Sequence, residues 1–585
     1  MQGELKEFKS IQTGQMNLSD YEQAYAAFQW ADVEAELKLD AQAGFNLAFE
    51  AVDRQAVGRC KNKTAFRFLD GEKTESLTFQ ELKRLTNRFA NVLKEKGIDK
   101  GERIALFLPA VKEFYIAFLG VIKIGAIVVP LSPALMPDAI TEMLSDSEAS
   151  LVVTTTALMN RIVREQLPAL HTLLVIGDED PDESGSGFAA RASEAALSYE
   201  GAMAGAKETF AALDMPPEAP MMLLYTSGST GRPKGVIHVH GGITHYYQTG
   251  KWVLDLHEQD IYWCTSEPSW IPGISYGIWA PLLHGVTSVI DTRRFSPEQW
   301  YGILTNQHVT VWYTTPTALR QLMNFGPDNP MGRYNLSALR HILTVGEPLN
   351  PMVIRWSSRA FGLKVYDTWW MTETGGQILC NFRCLPIKPG SMGRPIPGVY
   401  ASILDDQGRE LPALEVGQLA IRTGWPAMMR GIWKDTEKFR RYFRMPSWYL
   451  TGDLAYRDAD GYFWFQGRVD DMIKKAGERL GPFEVENKLI EHPAVLEAGV
   501  IGKPDPLWGE IIKAFVVLRP GIVWSVQLES ELKEFVEQRL GQHLVPREIE
   551  IRNSLPRTKS GKVMRRVLKA MELGLPFGDL STMDD

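Results

Sequence analysis

Tyr225-Thr226-Ser227-Gly228-Ser229-Thr230-Gly231-Arg232-Pro233-Lys234-Gly235 gathers hydroxyls, conformationally free glycines and a cation in one short stretch. These are the residue types that hold a polyphosphate. Glycine permits backbone angles that other residues avoid and lets N–H groups approach phosphate oxygens closely. The side chains of Thr226, Ser227, Ser229 and Thr230 add hydroxyl donors, Gly228 and Gly231 supply the bends, and Lys234 adds a point charge. The order is not the Gly-Lys-Ser/Thr of a Walker loop opening a helix, so a Walker-type ATPase is not expected. A Ser/Thr/Gly cluster by itself is more often a plain loop, so other residues must carry the same chemistry.

Several do. Asp367-Thr368-Trp369-Trp370-Met371-Thr372-Glu373-Thr374-Gly375 sets carboxylates among hydroxyls after a strand-like run. A carboxylate so placed can hold Mg²⁺ against phosphate oxygens, because that ion takes a few hard oxygen ligands and keeps several waters. Alone, the same segment reads equally well as a turn with a packed Trp pair. Gly346-Glu347-Pro348 follows the apolar run that ends at Val345, at the carboxyl edge of a strand, where ligands bind in parallel sheets. Tyr449-Leu450-Thr451-Gly452-Asp453 ends on a carboxylate, which can accept hydrogen bonds from two hydroxyls, and Arg468 follows fifteen positions later. Leu555-Pro556-Arg557-Thr558-Lys559-Ser560-Gly561-Lys562 is a basic run that would ordinarily be a solvated face, yet Pro556 and Gly561 bracket it as a shaped loop ahead of a helix. No Ser-His-Asp or Cys-His arrangement is recognisable, which disfavours a covalent enzyme intermediate.

The elements that must position these groups read as α/β. Residues 103–109 form a strand pattern, an amphipathic helix runs through Phe114, Phe118 and Ile122, and residues 126–129 form a second strand, giving a βαβ unit. Strand patterns recur at 150–154, 173–176, 310–314 and 341–345 with helix-length segments between them, as parallel α/β layers require. After Val399 short strands and turns suggest a small antiparallel or barrel-like section, and after Gly467 a smaller α+β domain completes the chain. The expected division is residues 1–469 and 470–585.

With 585 residues and 45% hydrophobic residues, the chain is long enough for at least two cores. The formal net charge of -8 gives no electrostatic footprint for nucleic acid. The most apolar stretch is interrupted by Lys123 and stopped by Pro130, and the first residues lack the order of a secretory leader, so a soluble, cytosolic protein without a membrane partner is expected. Cys60, Cys264, Cys380 and Cys384 are too few and too dispersed for a disulfide framework and are expected to be reduced thiols.

Taken in order from Tyr225 to Lys562, the motifs resemble those of the AMP-forming adenylating enzymes, the superfamily that includes the acyl-CoA synthetases. The Trp369-Trp370 pair, the segment from Tyr21 to Trp30 and the closing residues narrow the resemblance to members that join a short acid such as acetate to CoA. The resemblance implies ATP, Mg²⁺ and CoA as reaction partners, and a mobile C-terminal domain that swaps two loops across one site. It assigns Thr226, Ser227, Gly228, Ser229, Thr230, Gly231 and Lys234 to the phosphates. Gly346, Glu347, Pro348, Asp367, Thr368, Trp369 and Thr372 fall to the nucleotide, with Glu373 on the metal, and Asp453 and Arg468 on the ribose. Lys562, Glu373 and Thr226 become the catalytic set, Gly477 and Arg479 contact CoA, Arg479 also contacts the nucleotide, and Asp470 is the hinge. Trp270, Ile271, Pro272, Val345 and Trp370 line the acyl pocket, with the indole of Trp370 limiting acid length. Lys562 is also expected to be a target of a lysine acetyltransferase and a deacetylase.

One departure bears on substrate choice. Acetate-specific members tend to carry Val-Thr where this chain has Ile271-Pro272, so propionate or another short or branched acid is the alternative. A carrier-protein-loading adenylation enzyme and a non-catalytic nucleotide sensor are the remaining rivals.

Overall fold

A computed structural model describes residues 16–40, 42–71, 73–177, 196–227, 233–325, 333–475, 478–557 and 563–577. Strands Arg103–Phe107 and Ile127–Leu131 are apolar along nearly their whole length because helices cover both faces of the sheet. They pair in parallel, Ile104 opposite Val128, and helix Lys112–Lys123 connects them, completing the expected βαβ unit. Outward from this centre, Leu151–Thr155, Thr172–Ile176 and Ala196–Ser198 extend the sheet in parallel on one side. On the other side lie Pro220–Ser227, Pro233–Val239 and Gly431–Ile432, for eight strands in all.

A nine-stranded sheet contains the second parallel set. Val365–Trp369, His341–Thr344, Val311–Thr314, Ile261–Cys264, Thr287–Asp291 and Thr64–Asp70 run side by side, with Phe66 opposite Ser288 and Thr344 opposite Asp367. Helix Phe79–Glu95 follows the edge strand and opens with a capping box: the Thr78 hydroxyl accepts from the Glu81 N–H at 3.2 Å, and the Glu81 carboxylate accepts from the Thr78 N–H at 2.8 Å. Near the N-terminus, the Tyr21 and Tyr25 hydroxyls and the Trp30 indole N–H donate to the carbonyls of Pro395, Val399 and Gly398.

The barrel-like section is a four-stranded antiparallel sheet, Ala401–Leu404, Gly417–Arg422, Trp448–Arg457 and Phe463–Arg468. Val469–Asp471 then forms a single helical turn, after which a fourth sheet begins at Ile473–Lys475. That sheet is built on the long hairpin Val495–Asp505 and Gly509–Leu518, and it has its own core, in which Val485, Leu489, Val500, Val516 and Leu532 are buried together. The chain therefore folds as a large N-terminal α/β domain and a smaller C-terminal α+β domain, and no helix among the described residues is long and apolar enough to cross a membrane. All four cysteines are free thiols.

The interruption at Lys123 has a structural use. Its ammonium is buried and lies 2.5 Å from Asp53 Oδ2 and 2.7 Å from Asn87 Oδ1, tying the helix to the turn Phe49–Asp53. Burial lowers its pKa to about 8 against the pull of Asp53. Removing one partner of such a pair strands the other, whereas an apolar replacement of both does not. Lys123→Ala should thus cost about 3–5 kcal/mol in chemical denaturation. The joint change Lys123→Met with Asp53→Leu should cost less than either single change.

Candidate active site

Strands Pro220–Ser227 and Pro233–Val239 form an antiparallel hairpin with Thr226 opposite Lys234. The glycine-rich segment therefore joins two antiparallel strands, where a Walker loop joins a strand to a helix. Gly228, Ser229, Thr230 and Gly231 lie outside the described residues, and of Ser227 only the backbone is described. The stem aims two groups into a cleft of about 1390 Å³: the Thr226 side chain, whose buried hydroxyl has no hydrogen-bond partner among the described residues, and Lys234.

Lys234 meets Glu373 there. The carboxylate comes from the short turn Thr372–Thr374, which follows strand Val365–Trp369, and it pairs with the ammonium in a buried setting. Gly375 ends that turn at φ +71°, where a Cβ would lie 2.0 Å from the Ala427 carbonyl, so only glycine fits. Tyr442, from helix Thr436–Tyr442, closes the group: its hydroxyl contacts Lys234 Nζ and lies 3.5 Å from Glu373 Oε1, while the ammonium sits 4.8 Å from its ring centre. Burial opposes the charge on Lys234, but Glu373 and Tyr442 hold its pKa above the usual lysine value. Burial likewise opposes ionisation of Glu373, and the facing ammonium overcomes it.

The carboxyl ends of the nine-stranded sheet supply the next wall. Val345-Gly346-Glu347-Pro348 follows strand His341–Thr344 along the cleft, with Gly346 at φ +100°. The Glu347 carboxylate is engaged, accepting from the Thr317 N–H at 2.8 Å and from Arg320 at 2.7 Å. Asp367 is buried beneath it and accepts from the Thr344 hydroxyl at 2.8 Å. Burial pushes the Asp367 carboxyl up to about 8, against hydrogen bonds from Thr344 and from backbone N–H groups. Asp453 and Arg468 face each other across two antiparallel strands, 3.0 Å apart, and the Trp369 indole N–H donates to Asp453 Oδ2 at 2.9 Å. Trp369 thus positions the aspartate.

Trp370, Ile271, Pro272 and Trp270 border the cleft on another side. Pro272 falls in the first turn of helix Ile271–Ile274, where its missing N–H has no intrahelical partner to lose. Gly273 is fixed by close packing, since a Cβ there would lie 2.1 Å from the Glu267 carbonyl. The helix continues as a widened π turn, Ser275–Trp279, which sets the ring of Tyr276 edge-on to Trp370 at 5.0 Å between centres.

The C-terminal domain closes the cleft with Phe483, Glu486, Arg557, Val563 and Arg565. Arg557 and Val563 pair as an antiparallel bridge, and the Met564 N–H donates to the Pro556 carbonyl at 2.8 Å, so the ends of the Lys562 loop are pinned together. Lys562 and Gly477 lie outside the described residues, as does the side chain of Arg479. Asp470 sits in the turn between the third and fourth sheets.

Sequence reasoning overlooked Tyr442, Arg320, Tyr276 and Tyr313. Each stands in a run that reads as ordinary core or solvated helix, and for Tyr442 the i, i+3 spacing with Phe439 suggests only an apolar face.

A family model described as AMP-binding enzyme matches residues 52–433, and one described as the AMP-binding enzyme C-terminal domain matches residues 484–562. The chain is 52% identical over 585 residues to acetyl-coenzyme A synthetase of Bacillus subtilis (strain 168), covering 99% of this chain and all of that one. Among solved structures it resembles an acyl-CoA synthetase of Brucella canis (TM-score 0.73, 33% identity, 95% of this chain and 99% of that one). It also resembles the anthranilate CoA ligase AuaEII in complex with anthranoyl-AMP (TM-score 0.81, 28% identity, 93% and 99% covered).

The buried Asp367 carboxyl gives a pH test. With a folded value near 8 against an ordinary 3.8, it keeps its proton in the folded chain at pH values where the unfolded chain has lost it. Between those values the folded state binds more protons, so this group lowers stability as pH rises. Asp367→Asn removes the dependence. Its melting temperature should fall less between pH 5 and pH 8 than that of the unmodified protein, measured by calorimetry in matched buffers.

Proposed function

We propose a residue-by-residue reading of the cleft from one premise: the chain belongs to the AMP-binding, adenylate-forming enzymes and, within them, to the acetyl-CoA synthetases. It ligates acetate to CoA in two half-reactions, acetate with ATP giving acetyl-AMP and pyrophosphate, then the CoA thiol displacing AMP. A carboxylate is a poor acyl donor and an acyl phosphate anhydride a good one, so the adenylate takes the place of a covalent enzyme intermediate.

The observation that carries the residue assignments is convergence. Thr226, Lys234, Glu373, Asp453, Arg468 and Trp370 come from three sheets to one cleft, beside the two residues that pin the Lys562 loop. In this reading residues 226–231 and Lys234 hold the polyphosphate, and the Thr226 hydroxyl, which has no partner among the described residues, is a ready donor. Gly346, Glu347 and Pro348 hold the adenine side, Asp367, Thr368, Trp369 and Thr372 contact the rest of the nucleotide, and Asp453 with Arg468 holds the ribose. Since the Glu347 carboxylate is already engaged, the backbone around it is what offers contacts to the base.

The site suits Mg²⁺. Among the described residues no group of three or more His, Cys, Asp or Glu could cage a metal, and Glu373 offers a hard-oxygen ligand in the cleft beside Lys234. An ion that takes few protein ligands and completes its shell with phosphate oxygens and water fits that donor set. Bound there, it would neutralise phosphate charge. Lys562 then orients the acetate carboxylate and stabilises the negative charge that builds on the α-phosphate.

Between the two steps the domain of residues 470–585 rotates against residues 1–469 about Asp470. Rotation withdraws Lys562 and brings in Gly477, which lines the thiol's path, and Arg479, which contacts nucleotide or CoA phosphates. Arg479 serves in the same reading as an AMP contact. Acid-dependent exchange of labelled pyrophosphate into ATP, followed by thioester formation with free CoA, tests the whole scheme; a strict need for an added carrier protein would sink it.

Lys562→Ala should abolish pyrophosphate exchange by about a hundredfold or more while leaving thioester formation from supplied acetyl-AMP within a few fold. A bulky residue at Gly477 should do the reverse. Acetylation of Lys562 removes the same charge, so enzyme stoichiometrically acetylated there should copy Lys562→Ala and recover on deacetylation. Equal losses in both half-reactions would count against the alternating domain.

Trp370→Gly opens the acyl pocket. Each buried CH₂ is worth about 0.8 kcal/mol, roughly fourfold in kcat/KM, so acids about three carbons longer should gain tens of fold relative to acetate. An unchanged ranking across straight-chain acids would make Trp370 structural and move the pocket toward Ile271 and Pro272.

A further inference from the structure

Trp370 is held by a hydrogen-bond network whose proton directions follow from counting. The Thr368 hydroxyl donates its one proton to the Thr344 carbonyl at 2.8 Å. At its contact with Tyr313, 2.7 Å away, Thr368 is therefore the acceptor and Tyr313 the donor. The phenol oxygen then has only acceptor sites left. The Trp370 indole N–H fills one at 3.0 Å and the Gln377 side-chain NH₂ another at 3.3 Å.

The same count settles Tyr276. The Thr249 hydroxyl donates to the His245 carbonyl at 2.6 Å, so Tyr276 donates to Thr249 at 2.9 Å and accepts from the Gln377 backbone N–H at 2.7 Å. Tyr276 and Tyr313 stand perpendicular, 5.7 Å between ring centres, and both are fully buried. Neither hydroxyl has a proton left for a ligand. What they offer is an immobile frame, and Trp370 is the member of that frame that borders the cleft.

We propose that Tyr313 is the positioning residue for acid-length selectivity: its hydroxyl locks the Trp370 indole in the rotamer that keeps the pocket short. This rests on the reading of Trp370 as the pocket wall. An indole of this size walls off a pocket only if it cannot turn, and packing against Tyr276 fixes one edge while the Nε1–H bond to Tyr313 fixes the other. Without the Tyr313 oxygen, the indole N–H and the Gln377 side-chain NH₂ both lose the acceptor they share in a buried space. The indole gains a reason to turn, and turning lengthens the pocket.

The test compares the unmodified enzyme, Tyr313→Phe, Trp370→Gly and the double variant, with kcat and KM measured for acetate, propionate, butyrate and ATP. Tyr313→Phe should lower the acetate-to-butyrate ratio of kcat/KM by about tenfold, the scale of one net buried hydrogen bond. The change should sit in KM for the acids, rising for acetate and falling for butyrate, with KM for ATP unchanged. On the Trp370→Gly background the same substitution should move the ratio by less than about twofold, because the group it positions is gone. A uniform loss for every acid, or an equal shift with the indole absent, would overturn the proposal and leave Tyr313 as core. If Trp370→Gly itself leaves the ranking unchanged, the wall assignment fails and the proposal falls with it; a changed ranking there with none in Tyr313→Phe refutes Tyr313 alone. Should Tyr313→Phe not accumulate as folded protein, Thr368→Val removes the acceptor of the Tyr313 proton while keeping the ring. It should shift the ratio in the same direction, and no shift there would also refute the proposal.

Discussion

Lys234 and Glu373 are 139 residues apart in the chain, one on the hairpin of the eight-stranded sheet and the other on the turn after a strand of the nine-stranded sheet. Their ion pair is buried, so each charge depends on the other for the solvation that water would otherwise give. The pair stitches the two sheets together where the cleft opens. In the proposed reading it also prepares an exchange, because an anionic ligand that draws the ammonium away frees the carboxylate to meet a cation. Tyr442 lies against both groups.

Much of this arrangement could be read from the chain. The alternation of apolar strands with helix-length segments identified the parallel sheets because strands buried on both faces need continuous apolar runs, as Arg103–Phe107 and Ile127–Leu131 have. The cleft residues were legible because hydroxyls, glycines and charges cluster in short segments whose order resembles one family. Lys123 is instructive in a different way. As a charge inside an apolar run it argued against a membrane span, but its partners Asp53 and Asn87 lie too far away in sequence to be foreseen.

What could not be read is what depends on distant packing. The segment from Tyr225 to Gly235 looked like a loop of unspecified frame, and only the pairing of Thr226 with Lys234 shows that it joins two antiparallel strands. Trp369 and Trp370 are adjacent, yet one bonds Asp453 and the other Tyr313, a division of labour that no spacing rule yields. Pro272 gave no sign of its frame either; it sits in a first helical turn, where the backbone gives up no hydrogen bond to accommodate it.

Gly273 constrains how this wall of the cleft can diversify. With a carbonyl where its side chain would begin, the main chain at residue 273 cannot take on a side chain without moving away from Glu267. If Ile271 and Trp370 line the acyl pocket as proposed, descendants that take up new acids are reached more directly by exchanging side chains at those two positions than by rebuilding the main chain between them and Glu267, a short mutational route and a discrete one.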